Sequence, residues 1–115
     1  RTNEFSCSEA SQKIINNLSG MENKNKSTIQ SASLLKSIGH PIRIQIIVAL
    51  SNNAYMTVTD LSHHLSINQP VMSLHLAILR KTNVIKGKKQ GKKSVYSISD
   101  ISAKQIVNIA YNTRN

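Results

Sequence analysis

A chain of 115 residues with fifteen Lys and Arg against five Asp and Glu carries a formal net charge of +10; it makes one small domain with a modest core, and its partner is expected to be anionic. Its single cysteine, Cys7, excludes an intrachain disulfide and points to a reducing compartment. No apolar run approaches the ~20 residues that span a bilayer and no signal-peptide pattern precedes the domain, so a soluble, cytoplasmic protein with no membrane partner is expected.

The first residue is Arg1 rather than Met, the expectation for a processed or trimmed chain. Residues 1–27 are rich in Ser, Asn and Lys and hold one short apolar cluster, Ile14, Ile15 and Leu18. They read as an N-terminal arm, either a weak or partner-stabilised helix or an unpacked segment, with a flexible link around Gly20 to Lys26. Residues 28–115 read as the folded domain. A helix is predicted from Thr28 to Ile38, stopped by Gly39 as its C-terminal cap. His40-Pro41 opens the next helix, with Pro41 at the first helical position, where a missing N–H costs nothing. Its body, Ile42 to Leu50, is apolar on nearly every side except at Arg43 and Gln45, the pattern of a central buried helix. Arg43 is read either as a phosphate contact or as a tie between helices.

Ser51-Asn-Asn-Ala54 is a predicted loop. Thr57-Val-Thr-Asp60 has the capping-box form: the Thr57 hydroxyl caps the helix while the Asp60 carboxylate accepts from the Thr57 N–H. Val58, Leu61 and Leu65 then face the core. Ser66-Ile67-Asn68 is a short turn into the next helix, with Asn68 as N-cap and Pro70 in the first turn. Met72, Leu76 and Leu79 recur at i, i+4 and i+7 as its buried stripe. The other face presents Gln69, Ser73 and Ala77, flanked by Leu74, Arg80 and Lys81. Val84-Ile-Lys86 and Ser94-Val-Tyr-Ser-Ile98 read as paired strands, with turn chemistry from Gly87 and Gln90-Gly91. The last predicted helix runs from Asp100 to about Tyr111, with Ala103, Ile106, Val107 and Ala110 on one face.

Two short helices joined by a three-residue turn make a helix-turn-helix, and the hairpin after it makes a wing. The predicted fold is mainly α with a small β-hairpin (α+β), in the order α-α-α-α-β-β-α, to which the arm adds a helix if it folds. No acidic residue stands between Asp60 and Asp100, an interval that holds Arg80, Lys81, Lys86, Lys88, Lys89, Lys92 and Lys93. Placed beside a short-chained helix face, that charge points to double-stranded DNA. Gln69 and Ser73 are the base-edge candidates, because a Gln amide pairs bidentately with adenine N6/N7 and a Ser hydroxyl donates or accepts. Leu74 is read as a contact to a thymine methyl, and His75 as a contact to DNA or a structural residue. Asn68, Arg80, Lys88, Lys89, Lys92 and Lys93 are assigned to the backbone or the wing contacts. The first and last helices carry apolar residues, Ile29, Leu35, Ile106, Val107 and Ala110, that a core of this size does not absorb. An isologous homodimer through them would set two reading helices about one duplex turn (~34 Å) apart on a pseudo-palindromic site.

Four segments resemble the ArsR/SmtB family of bacterial transcriptional regulators, over about Leu34 to Ala110. Leu34 to Ile47 is similar to the family's entry into its central helix, with His40 in place of an aspartate. Tyr55 to Leu61 is similar to the segment that bears cysteines in metal-sensing members. Asn68 to Leu76 resembles the recognition-helix signature, and Gly91 to Tyr96 the end of the wing. The resemblance implies a DNA-binding regulator, a repressor in the first instance.

The departures bear on its control. Cysteines of metal-sensing members fall where this chain has Thr57 and Thr59, and hydroxyls are poor ligands for soft metals. Zinc ligands between the C-terminal helices of other members match Asp100, but Ser102 and Thr113 stand where histidines are needed. Thiol sensors need two cysteines per chain. The resemblance therefore implies no metal and no cofactor, and it names no inducer. His63 and His64 are adjacent and point apart on a helix, whereas ligand pairs want i, i+3 or i, i+4. No catalytic constellation is present: there is no Gly-rich phosphate loop, and no carboxylate pair or nucleophile–base grouping that a motif supports. The alternatives are a winged-helix protein-interaction module and a nonspecific architectural DNA binder.

Overall fold

The computed structural model describes the backbone of residues 22–114 and the side chains of residues 25–113. The cluster at Ile14, Ile15 and Leu18, and Cys7, lie outside the described residues. Eight elements follow in order: α1 (Glu22–Ile38), α2 (Pro41–Asn52), β1 (Met56–Thr57), α3 (Val58–Leu65), α4 (Gln69–Lys81), β2 (Ile85–Gln90), β3 (Lys93–Ile98) and α5 (Ile101–Arg114). The chain divides into two compact units between Ala32 and Ser33. In the first unit, the described side chains from Lys26 to Ala32 are exposed. The second unit holds the core.

Helix α1 starts at Glu22, six residues before the predicted Thr28, so Glu22 to Lys26 is helix rather than link. From Met21 to Ile38 the sequence has neither Gly nor Pro, and its Lys and Glu are good helix formers, so nothing local stops the helix from extending upstream. Gly39 does end it, but without the left-handed backbone that the cap motif uses, since Gly91 is the one described glycine with positive φ. Its role is close approach: a Cβ on Gly39 would lie 3.1 Å from the Leu35 carbonyl oxygen. The chain can then turn at once into α2.

His40 is the N-cap of α2, where its Nδ1 accepts from the N–H of Ile42 at 3.1 Å. It takes the part that an Asp plays at such a position. Ile46, Ile47, Ala49 and Leu50 of α2 are buried, as expected of a central helix. The helix continues through Ser51 and Asn52, two residues of the expected loop. Asn53 closes it, with both its backbone N–H and its Nδ2 donating to the Ala49 carbonyl.

The capping box of α3 is formed in full: Asp60 N–H donates to Thr57 Oγ1 at 3.0 Å and Thr57 N–H to Asp60 Oδ2 at 3.1 Å. Hydrogen bonding from Thr57 to the ionised carboxylate, its backbone N–H first, holds the Asp60 pKa below its ordinary value. Ser66 turns the chain with φ of 56°, and Asn68 Oδ1 then accepts from the Val71 N–H at 3.0 Å to start α4. Asn83, with φ of 62°, ends α4 and feeds the wing.

The strands form one antiparallel sheet in the order β1-β3-β2. Strand β1 was not expected; two residues carry no periodicity to read. It pairs Met56 with Tyr96 and Thr57 with Val95, so the base of the wing is fastened to the helix-turn-helix at the start of α3. The hairpin is longer than its β-branched ends. Gly87 lies within β2, paired with Tyr96, and the turn is the two-residue Gly91-Lys92 tip. Gly91 has φ of +64°, as the first central position of a tight hairpin turn requires. Asp100 Oδ1 accepts from Ser102 N–H at 2.9 Å to cap α5, whose Ala103 and Val107 enter the core beside Ile46, Ile47, Leu61, Met72, Leu76, Leu79, Val84 and Ile85. Among the described residues, no helix is long and apolar enough to cross a membrane.

Candidate nucleic-acid interface

One side of α4 is anchored by Met72, Leu76 and Leu79, each at most 1% exposed. The exposed residues of the helix are Gln69, Pro70, Ser73, Leu74, Ala77, Arg80 and Lys81, and at 3.6 residues per turn they fall in one contiguous sector. Up to Ala77 this sector holds an amide, a hydroxyl and aliphatic side chains; charge comes only in the last turn. Such a short-chained surface can approach the base edges of a major groove closely. Leu74 is 60% exposed on it. Gln69 is held: its Nε2 donates to Thr59 Oγ1 of α3 at 3.1 Å. Thr59, read in the sequence only as a departure from a metal site, lies ten residues upstream and meets Gln69 only when α3 packs against α4.

Arg80 lies towards the wing, with Cζ 6.0 Å from the Tyr96 ring centroid, at the outer reach of a cation–π contact. A Cβ on Gly87 would come within 3.1 Å of Tyr96 Cε1 and 3.5 Å of Arg80 Cζ. The missing side chain at Gly87 therefore makes the seat for both, and its role is this close approach rather than the predicted turn. In the hairpin, cross-strand partners share a face. Lys86, Lys88 and Lys93 lie on one face, Lys89 lies on the other, and Lys92 is at the tip. All five are exposed. Asn68 is exposed too, but its Oδ1 is engaged in the cap, so only its amide is left to reach outward.

Two assignments need correction. His75 is 8% exposed and lies inside, its ring centroid 4.5 Å from that of His40, so it is not in the exposed sector of α4 where a base contact was expected. Counting along α4 places it with Leu76 and Leu79 rather than with Ser73. Burial first, then the charges of His40 and Arg43, push its pKa below the ordinary histidine value. Its Nδ1 is enclosed without a hydrogen-bond partner among the described residues. Arg43 is half-buried with its Nε enclosed in the same way. Val107, expected at a dimer interface, is 2% exposed in the protomer's own core. Ile29, Leu35 and Ile106 remain exposed, as does Ala110, and Ile101, Ile109 and Tyr111 add to the apolar surface of α5.

The positions that would hold a metal in sensing relatives are occupied otherwise. Thr57 caps α3, Thr59 holds Gln69, Asp100 caps α5, and Thr113 Oγ1 donates to the Ile109 carbonyl. Hydroxyls engaged in this way do not fit a soft or borderline metal. Among the described residues, no three His, Cys, Asp or Glu side chains come together. His63 and His64 are both exposed.

A helix-turn-helix tied at its start to a lysine-bearing hairpin, with α4 exposing a face uncharged from Gln69 to Ala77, defines a winged-helix DNA-binding regulator. The chain belongs to the ArsR family: the family profile "Bacterial regulatory protein, arsR family" matches residues 40–86. It is 30% identical to the transcriptional activator HlyU of Vibrio cholerae over 95 residues, 83% of this chain and 84% of that protein. It is 29% identical to the biofilm growth-associated repressor of Xylella fastidiosa over 90 residues, 78% of each chain. The solved structure of reduced HlyU from Vibrio cholerae superposes with a TM-score of 0.72 at 26% identity, covering 80% of this chain and 96% of that one. The repressor BigR of Xylella fastidiosa gives 0.71 at 28% identity, covering 81% and 94%. The chain is thus a DNA-binding transcriptional regulator, which sets aside the protein-module and architectural alternatives.

Proposed function

We propose that the protein is a cytoplasmic homodimeric repressor that occludes a promoter by binding a pseudo-palindromic operator, without the metal sites of its sensing relatives. The observation that carries this is the exposed sector of α4, uncharged from Gln69 to Ala77, beside a hairpin with five exposed lysines, in a stretch with no acid between Asp60 and Asp100. Gln69, Ser73 and Leu74 meet base edges; Asn68, Arg80, Lys88, Lys89, Lys92 and Lys93 meet the backbone. Arg43, half-buried against His75, ties helices together. Exposed Leu35, Ile101, Ile106, Ile109 and Tyr111 supply an apolar surface for a second copy. Repression by occlusion asks nothing of the molecule beyond this DNA-binding surface. Fluorescence anisotropy with the protein's own upstream DNA and with a scrambled duplex, near physiological salt, tests the reading. A preference of ~10³ or more for the upstream DNA is expected. Equal affinity for both would overturn operator binding at that site.

A further inference from the structure

The exposed sector of α4 limits which bases it can read. Guanine is most often read by a bidentate Arg or Lys on O6 and N7, and cytosine N4 by a carboxylate. Neither type occurs among the exposed residues from Gln69 to Ala77. Of the two cations that follow, Arg80 lies towards Tyr96 and Gly87 at the wing and Lys81 is the last residue of the helix. What remains is Gln69, whose amide complements adenine N6/N7, a hydroxyl that does not discriminate, and three apolar side chains, Pro70, Leu74 and Ala77. Leu74 is 60% exposed on a surface that faces nucleic acid, and the apolar group a major groove offers it is the thymine C5-methyl.

The Thr59–Gln69 bond adds a second observation. A glutamine side chain has three rotatable bonds, and fixing it on a base carries an entropic cost. Here one Nε2 hydrogen goes to Thr59 Oγ1 at 3.1 Å. The amide keeps its second hydrogen and Oε1, the donor and acceptor types that the adenine edge requires. The amide is therefore placed before DNA arrives.

Building on the operator-binding reading above, we infer that α4 reads A·T base pairs, adenine through Gln69 and thymine methyls through Leu74 and Ala77, and that Thr59 is a positioning residue for Gln69. Thr59 touches no base. Its hydroxyl acts through the amide it holds, so its loss lowers discrimination at one position rather than affinity everywhere.

The test is selection from a random-sequence duplex library by the full-length protein, followed by titration of the selected site and of its single-base variants. The wild-type protein is expected to enrich A·T pairs at the positions under α4. Gln69→Ala removes the adenine preference at one symmetry-related pair of positions, and Leu74→Ala lowers thymine preference at another. Thr59→Val lowers the adenine-over-guanine ratio at the Gln69 position by about threefold to tenfold, the range expected for loss of one pre-ordered side chain. Binding to random DNA and the circular dichroism melt stay at wild-type values, and Thr59→Ser restores the ratio. Thr59→Ala provides a second hydroxyl-free variant should valine perturb α3. Enrichment of G·C under α4, or wild-type discrimination in both hydroxyl-free variants, overturns the inference. So does an equal loss on cognate and random DNA, which would make the Thr59–Gln69 bond a structural tie. Binding without any enrichment overturns the operator reading itself, a separable result.

Discussion

At the scale of single residues, buried His75 sets a pH dependence. His75 is held neutral by its burial and by the neighbouring His40 and Arg43 charges, so its folded pKa lies below the ordinary 6.5. As pH falls through the unfolded value, the unfolded chain takes up a proton that the folded chain refuses. Stability contributed by neutral His75 is therefore complete above about pH 6.5 and is lost progressively below it. Asp60 has a linkage of the same sign at lower pH: its carboxylate is favoured by the capping box, and its contribution fades only in stronger acid, below 3.8. The two effects thus occupy separate pH windows. His75→Phe keeps a ring against His40 and removes both the titration and the unpartnered Nδ1. Thermal midpoints at pH 7.5 and 5.5 are expected to fall with acidification in the wild type and to fall less in this variant. Equal decreases would show that His75 does not carry the dependence.

At the scale of elements, the wing divides its lysines by strand geometry. Lys88 and Lys93 share a face, Lys89 is opposite, and Lys92 sits at the tip beside Gly91. If Lys92 and Lys93 each neutralise one phosphate, replacing both with Ala lowers affinity for cognate and random DNA by the same factor. Each phosphate no longer neutralised also flattens the log–log salt dependence by about 0.9. Anisotropy titrations over a salt series check this; a selective loss on cognate DNA would instead make these lysines base readers. Much of this architecture was legible in advance. The capping box, the Asn68 cap, the Met72–Leu76–Leu79 stripe and the wing all follow from local chemistry, and they stand in the structure as expected. What escaped the sequence depends on crossings between distant segments. A two-residue β1 has no pattern, the Thr59–Gln69 bond spans ten residues, and the seat at Gly87 exists only once Tyr96 pairs across from it. The inward turn of His75 was readable from helical spacing, but its place beside a recognition signature suggested an outward role.

At the scale of the whole molecule, salt dependence and assembly are linked. If each protomer neutralises ~4 phosphates, a dimer neutralises ~8, and log affinity against log salt should fall with a slope of about −7. A protomer acting alone should show about half of that. The apolar residues left outside the core on α5 offer the way to separate the two states. Ile106 is 36% and Ile109 69% exposed, whereas Ala103 and Val107 hold α5 to its own protomer. Replacing Ile106 and Ile109 together with Glu puts charge into the proposed interface while leaving the core packing intact. The double variant is expected to sediment as a monomer with an unchanged circular dichroism spectrum. Its affinity for the full operator should be reduced, and its slope should move towards about −3.6. A variant that remains dimeric with the wild-type slope would place the interface elsewhere. One that becomes monomeric yet keeps the slope near −7 would mean that a single protomer neutralises all the phosphates, and the operator would then need no two-fold symmetry.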